Sequence, residues 1–296
     1  MKAAHLDYVA VRSAEEAVLF LSESGGEARP IAGGQSLVPM LNFRLAAPTL
    51  LVDLNGISAL NRIDATADGG LTVGALTRTR TLELSSLVRD RQPLLAEAIP
   101  HIAHLSIRNR GTLGGSLAHA DPAAELPALA VALDARLILQ SSRGLREVAA
   151  EDFFRGLFST AARADEILTE IRFPPWPDGR QYGFQEFSRR RGDFAMAGIA
   201  LWLDRAEGVV DAARIVAFGV SDRPQRLMDA EAQLTGYLTG DHRAIERALN
   251  AARDALSPDA DLQASSGFRR HIAVELLRRA LAAANGRHDR KRQADA

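Results

Sequence analysis

The 296-residue sequence contains no cysteine. That excludes disulfides, a thiolate nucleophile, cysteine-ligated zinc and an iron–sulfur cluster held by this chain. No prosthetic group can be attached through a cysteine sulfur, and the absence fits a cytoplasmic chain. An excess of one charge is lacking too: 36 Lys and Arg stand against 37 Asp and Glu, a net charge of -1. No basic field draws the chain to nucleic acid or to a membrane surface. Long apolar runs are missing. The longest, Ala128–Leu139, is broken by Asp134 and Arg136 and is too short to span a bilayer. The opening, Met1–Asp7, has neither an apolar core nor a small-residue cleavage pattern, so no signal peptide is expected. What remains is an ordinary globular composition, 47% hydrophobic and 25% charged, long enough for two or three packed units.

Periodicity and turn chemistry predict the layout. Leu6–Val11 reads as a strand. Ser13 and Glu16 form a capping box for a helix whose apolar side includes Ala17, Leu19, Phe20 and Leu21, ended by Gly25-Gly26. Arg29–Ala32 returns as a strand, which makes a β-α-β opening. Leu37–Leu45 reads as a short helix and Leu50–Asp53 as a strand. Leu60–Asp64 and Leu71–Ala75 are strands joined by the turn Ala67–Gly70. Helices are expected over Thr79–Val88, Leu94–Ala103 and Ala123–Leu133, and strands over Arg136–Gln140 and Glu166–Phe173. The proline-rich run Phe173–Gly179 is the clearest boundary. Beyond it lie strands Gln181–Phe187, Phe194–Leu203 and Ala213–Val220, then helices Asp241–Ala255 and Ser265–Ala284. The last helix has Phe268, Ile272, Leu276 and Ala280 at helical spacing. A polar tail follows. The fold class is α+β.

Two glycine segments carry the functional signal. Ala32-Gly33-Gly34-Gln35-Ser36-Leu37 places two glycines after a strand and before a helical turn. Glycine lets backbone amides approach an anion closely, a helix start adds partial positive charge, and Gln35 and Ser36 add donors. The segment fits a diphosphate but is neither G-x-G-x-x-G nor G-x-x-x-x-G-K-[ST]. A plain turn is the competing reading. Gly111-Thr112-Leu113-Gly114-Gly115-Ser116 repeats the recipe, with the acid Glu125 downstream near a helix start. Glu125 is either a hydroxyl acceptor or a first-turn residue matched to the helix dipole. Two such segments point to one ligand held by both. His101, His104 and His119 have no carboxylate at zinc-site spacing, and no serine sits in a G-x-S-x-G setting. No metal ligand and no hydrolase nucleophile is expected. Arg189–Arg191 is either a solvated face or part of a cofactor environment or subunit contact.

The pair "AGGQSLVPMLNFRLA" from Ala32 and "RNRGTLGGSLAHADPAAELP" from Arg108 resembles the medium, flavin-carrying subunit of carbon monoxide dehydrogenase and its relatives, a module shared with xanthine dehydrogenase. Further likeness runs through "LTVGALTR" from Leu71, "FFRGLFST" from Phe153, "DEILTEIRFP" from Asp165, "RRRGDFAMAG" from Arg189 and "ASSGFRRHIAVELLRRAL" from Ala264. The resemblance implies a two-subdomain FAD-binding fold of the vanillyl-alcohol-oxidase (PCMH) type over residues 1–176. Its subdomains are about 1–55 and 56–176. A C-terminal domain of a small antiparallel sheet with helices spans 177–286, and the polar tail 287–296.

The resemblance also implies non-covalent FAD. Ala32, Gly33, Gly34, Gln35, Ser36 and Leu37, with Gly111, Thr112, Gly114, Gly115 and Ser116, would meet the diphosphate and its flanking hydroxyls. Ile102 would lie near the adenine, Glu125 near ribityl or ribose hydroxyls, Leu168 near the cofactor and Phe194 beside the isoalloxazine. Relatives often have Asp at Glu125, His at Gln35, Tyr or Ile at Phe194, and some have Lys near Gln185 or Glu186. The implied role is electron transfer within a heterotrimeric molybdenum hydroxylase. A small partner holds [2Fe-2S] clusters and a large one the molybdenum cofactor, the whole assembling as a dimer of heterotrimers. It would be cytoplasmic, with membrane association only through the complex. The alternative is a self-sufficient FAD-dependent oxidase or dehydrogenase of the same fold.

Overall fold

The computed structural model describes residues 2–294, with side chains to residue 286. The chain forms two compact units that are not contiguous in sequence. One takes the chain up to Gln92 with Ala103–Ala120 and Asp134–Pro175; the other takes Pro93–Ile102, Asp121–Leu133 and Trp176 onward.

The first unit holds two sheets. Strands β1 (Asp7–Ala10), β2 (Ala28–Ile31) and β3 (Leu50–Asp53) form a parallel sheet in the order β1-β3-β2, so the expected β-α-β opening leaves a gap that β3 fills. The helix Ala14–Glu23 covers it. Its N-cap is Ser13, which accepts from Glu16 N at 3.1 Å, but Glu16 reaches back to Arg12 N rather than to Ser13 N. The buried face is Ala14, Ala17, Val18 and Leu21, packed with Val11, Val52 and Leu54; Leu19, expected on the apolar side, faces solvent.

The second sheet is antiparallel. It contains β4 (Ile63–Ala65), β5 (Leu71–Gly74), β6 (Arg136–Ser141), β7 (Gly144–Ala149) and, after a short ribbon of β8 (Phe154–Gly156) and β9 (Ser159–Thr160), β10 (Ile167–Phe173), in the order β4-β5-β10-β6-β7. Central β10 buries Ile167, Leu168, Ile171 and Phe173, and its register slips between Leu168 and Glu170. The edge strand β7 buries none of its six residues and has no apolar alternation to announce it. The helix expected over Thr79–Val88 is split at Ser85, whose hydroxyl caps Val88 N and starts a new turn.

The second unit is a four-stranded antiparallel sheet, β11 (Gln181–Phe187), β12 (Ala197–Ala206), β13 (Val209–Phe218) and β14 (Gln225–Arg226), in sequential order. Helices cover both faces. Ile199, Leu201, Leu203, Ile215 and Ala217 pack with the helices Met228–Leu234, His242–Ala255 and Ser266–Ala294. On the opposite face Trp202 donates Nε1 to Ala132 O at 2.7 Å, which ties β12 to the helix Glu125–Ala132. A sheet covered twice has no solvent face, so β12 is buried continuously from Ala197 to Leu203. Every residue of Glu125–Ala132 is buried. β12 and β13 are displaced from their expected limits because the chain turns at Glu207-Gly208, both at positive φ, the two-residue hairpin that pairs Ala206 with Val209. The final helix buries Ala273, Leu276, Leu277, Ala280, Leu281 and Ala284, while Phe268 is partly exposed. Its backbone continues to Ala294, past the expected end at Ala284. The side chains of the expected polar tail, 287–296, lie outside the described residues.

Candidate functional site

In the first unit the two glycine segments meet backbone to backbone. A Cβ on Gly33 would stand 2.3 Å from Arg110 O and 2.9 Å from Gly111 Cα, so no residue with a side chain fits without moving main chain. Gly34 follows at φ +71°, the left-handed region that glycine enters without steric cost. Gln35 turns its side chain back, donating Nε2 to Gly33 O at 2.9 Å. The helix Leu37–Asn42 then begins at Ser36, whose side chain makes no cap bond. In that first turn Val38 N donates to Gly34 O at 3.0 Å and Pro39 carries no N–H, so the loop's own amides are what the segment offers a ligand.

The second segment is not a free loop. Thr79 N donates to Gly111 O at 2.9 Å, Leu113 N to Thr77 O at 3.0 Å and Gly114 N to Ala75 O at 2.9 Å. The chain 111–114 therefore runs zipped along 75–79. Ala75 N in turn donates to Thr169 O on β10, which brings Leu168, 8% exposed, into the same framework. Gly114 and Gly115 lie in the first turn of a helix, Leu113–His119. Thr112 is its N-cap, accepting from Gly115 N at 3.0 Å, so that hydroxyl oxygen is committed to the protein. Gly114 packs on Ala75, where a Cβ would meet the alanine Cβ at 2.5 Å, while Gly115 has Ala32 Cβ 3.8 Å from its own Cβ position. Ala32, Gly33, Gly111 and Gly115 thus form one small-residue surface drawn from both segments.

The remaining expected residues belong to the second unit. Glu125 opens its helix and is 5% exposed. Burial, and secondarily the charge of Glu186, push its carboxyl up to about 8, so at neutral pH it is largely a neutral acid that can donate as well as accept. Its own backbone amide, in the helix's first turn, opposes that shift. Ile102 follows His101, whose Nδ1 lies 3.5 Å from Glu186 Oε1. That contact raises the imidazole's pKa. Glu186 Oε2 is buried without a hydrogen-bond partner among the described residues, at the wall of a pocket of about 290 Å³ that Pro100, Phe187, Ser188 and Arg191 also line. Phe194 precedes β12 instead of starting it and is 60% exposed, in the loop that follows the turn at Gly192. Arg189, before that turn, donates to Gln263 O at 3.1 Å.

Residues 4–176 match the family model described as the FAD binding domain in molybdopterin dehydrogenase, and residues 182–284 match the CO dehydrogenase flavoprotein C-terminal domain. The chain belongs to the FAD-binding subunits of the molybdopterin dehydrogenases. It is 40% identical to the 6-hydroxypseudooxynicotine dehydrogenase complex subunit alpha of Paenarthrobacter nicotinovorans, covering 96% of each chain. It is 38% identical to the nicotine 6-hydroxylase medium subunit of the same organism, covering 97% of this chain and 100% of the other. Among solved structures, carbon monoxide dehydrogenase from Hydrogenophaga pseudoflava lacking the Mo-pyranopterin moiety of its cofactor superposes with a TM-score of 0.94 at 36% identity. That match covers 97% of this chain and 99% of the other.

The site fits the cofactor of an FAD-binding subunit. The close approach at Gly33 joins the two segments into one surface of main chain and small residues, the kind of surface a diphosphate requires. Sequence reading passed over two residues that hold this cradle together, Asn55 and Arg78. Asn55 Nδ2 donates to Ala32 O at 2.8 Å, and Arg78 donates Nη1 to Arg110 O and Nη2 to Asn55 Oδ1, the latter at 2.7 Å. Arg78 closes the segment "LTVGALTR", so the motif was visible, but its partners are 23 and 32 residues away.

Proposed function

We propose that this chain holds FAD non-covalently in a heterotrimeric molybdenum hydroxylase, passing electrons from iron–sulfur clusters of a partner subunit to an external acceptor. The observation that carries this reading is the contact of Gly33 with the Arg110 carbonyl, which makes one cradle from two glycine segments. Bound FAD supplies the redox chemistry, accepting and releasing electrons singly or in pairs. The chain's own residues position and insulate. Ala32–Leu37 would hold the diphosphate and flanking hydroxyls through backbone amides and the Ser36 hydroxyl, and Gly111–Ser116 through the Ser116 hydroxyl, because the amides of Gly111, Leu113, Gly114, Gly115 and Ser116 are bonded within the protein. Gly114 and the Thr112 oxygen serve that end by fixing the segment. Ile102 is assigned to the adenine, Glu125 to ribityl or ribose hydroxyls, Leu168 to a cofactor contact and Phe194 to the isoalloxazine. A neutral Glu125 can both donate to and accept from a hydroxyl.

The electrons need a source, and a chain without cysteine holds no cluster of its own through thiolates. A small iron–sulfur subunit and a large molybdenum subunit supply it, arranged as a dimer of heterotrimers in the cytoplasm. Residues 1–176 are assigned to the PCMH-type FAD-binding domain, with subdomains about 1–55 and 56–176, and 177–286 to the C-terminal domain. No helix among the described residues is long and apolar enough to cross a membrane. The test is the visible spectrum and metal content of the chain purified gently from its own host. Flavin bands with iron–sulfur absorbance and stoichiometric molybdenum are expected. Flavin alone, bleached by an added substrate and with no co-purifying chain after mild cross-linking, would overturn the relay and favour a self-sufficient oxidoreductase.

A further inference from the structure

We propose that Arg78 is a positioning residue that clamps the two glycine segments into a single diphosphate cradle, with Asn55 completing the clamp. The inference rests on the proposed FAD site. It starts from one atom, the carbonyl oxygen of Arg110. Gly33 comes so close to this oxygen that a Cβ would stand 2.3 Å from it. Arg78 Nη1 donates to the same oxygen. The carbonyl therefore lies between the first glycine segment and a guanidinium, and its position sets how near the two segments come.

The other arm of the guanidinium fixes the opposite side. Arg78 Nη2 reaches Asn55 Oδ1 at 2.7 Å, and Asn55 Nδ2 holds Ala32 O at 2.8 Å. Asn55 is itself oriented by Asp53 Oδ1, which accepts from Asn55 N at 2.9 Å. One planar fork thus spans both segments, a task for which guanidinium suits better than ammonium, because its donors sit in a fixed plane. The backbone of Arg78 is anchored as well, bridged to Thr112. Burial and the like charge of Arg110 both favour loss of the Arg78 proton. Two cations held near each other beside a cradle of amides gain from an anion placed there. A diphosphate would relieve their repulsion while using the geometry they set.

The test is FAD affinity of the full chain, freed of cofactor, followed by flavin fluorescence for wild type, Arg78→Ala, Arg78→Lys, Asn55→Ala and the Ala/Ala double variant. Thermal melts of each FAD-free variant accompany it. Arg78→Ala should bind FAD roughly 10- to 100-fold more weakly, the range for a lost charged hydrogen bond. Lysine should recover part of this, since a point charge serves one acceptor at a time. Asn55→Ala should weaken binding less, with an unaltered melt because Asn55 is exposed, and should add little to Arg78→Ala, because both variants open the same clamp. Wild-type affinity in both single variants, or a double variant whose losses simply add, would overturn the clamp. A wild-type chain that takes up no FAD would instead overturn the reading on which it rests.

Discussion

Replacing Glu125 with Gln removes one ionisable group and little else, so its effect on stability against pH can be worked out. The carboxyl is 5% exposed and is pushed up to about 8, first by burial and then by Glu186; its own backbone amide and His101 oppose the shift, and Asp121 adds to it. In the unfolded chain it ionises near its ordinary 4.5. Between those values the folded chain holds a proton that the unfolded chain has lost. Folding then binds protons, and stability falls as pH rises. From pH 4.5 to 7 the loss from this one group is about 3 kcal/mol, at about 1.4 kcal/mol for each pH unit. Above about pH 8 both states are ionised and the slope levels off.

His101 acts in the same direction, since its contact with Glu186 raises its pKa and folding takes up a proton there too. The comparison must therefore be a difference. Urea unfolding of the FAD-free wild type and Glu125→Gln, at half-unit steps from pH 4.5 to 8.5, isolates the Glu125 contribution. The stability of wild type relative to the variant should fall steadily across that window. Glu186→Gln should reduce the fall, because it removes the neighbouring charge. Parallel curves would refute the reasoning, since Glu125 would then ionise alike folded and unfolded. A rising difference would refute it more deeply, as it would mean a carboxylate stabilised by a cation.

Gly33→Ala forces a Cβ onto the Arg110 carbonyl and should cost about 2–4 kcal/mol in urea melts while weakening FAD binding; wild-type stability would show that the segments do not meet there. Gly267→Ala is its counterpart, because nothing lies within 4 Å of the added Cβ and the residue is in the first turn of a helix. It should be neutral or stabilise by up to about 1 kcal/mol in the same assay. Arg269→Ala should destabilise by about 2–4 kcal/mol in chemical denaturation, since the buried guanidinium donates to Met196 O at 2.8 Å, Gly219 O at 3.0 Å and Asp261 Oδ2 at 2.6 Å. Asp261→Ala should cost much less than that, because its carboxylate is half exposed and screened.

What the sequence made legible was local chemistry. Adjacent glycines after a strand announce a backbone that approaches something closely, and Gly33 does so. Turn residues, the proline run and the apolar spacing of the long helices gave most elements within a few residues. The misses have physical causes. Leu19 was placed on the apolar side by composition, but the helix buries Ala14, Ala17, Val18 and Leu21, a face set by where β3 enters between β1 and β2. The hairpin at Glu207-Gly208 was passed over because a glutamate at positive φ is uncommon, and Phe194 lies outside its expected strand because the chain turns at Gly192 just before it. Gly114 and Gly115 carried no helix expectation because glycine weakens a helix in isolation, yet Thr112 caps that helix and Ala75 leaves room for no larger residue at position 114.

The electrostatic character of the site lay beyond sequence for a different reason. Glu125 is a carboxylate in composition and a neutral acid in place. The change comes first from burial in a helix with no exposed side, and then from Glu186, 61 positions along the chain. Arg78 counts as one positive charge in the net of -1, but its work is to hold the Arg110 carbonyl and Asn55. In both cases residue identity was visible and function depended on a partner distant in sequence. Patterns of period 2 or 3.6 report which side of an element is buried. They carry no record of which two segments the fold brings into contact. The glycine segments were an exception only in part: glycine records that a close approach exists, and the fold supplies its partner.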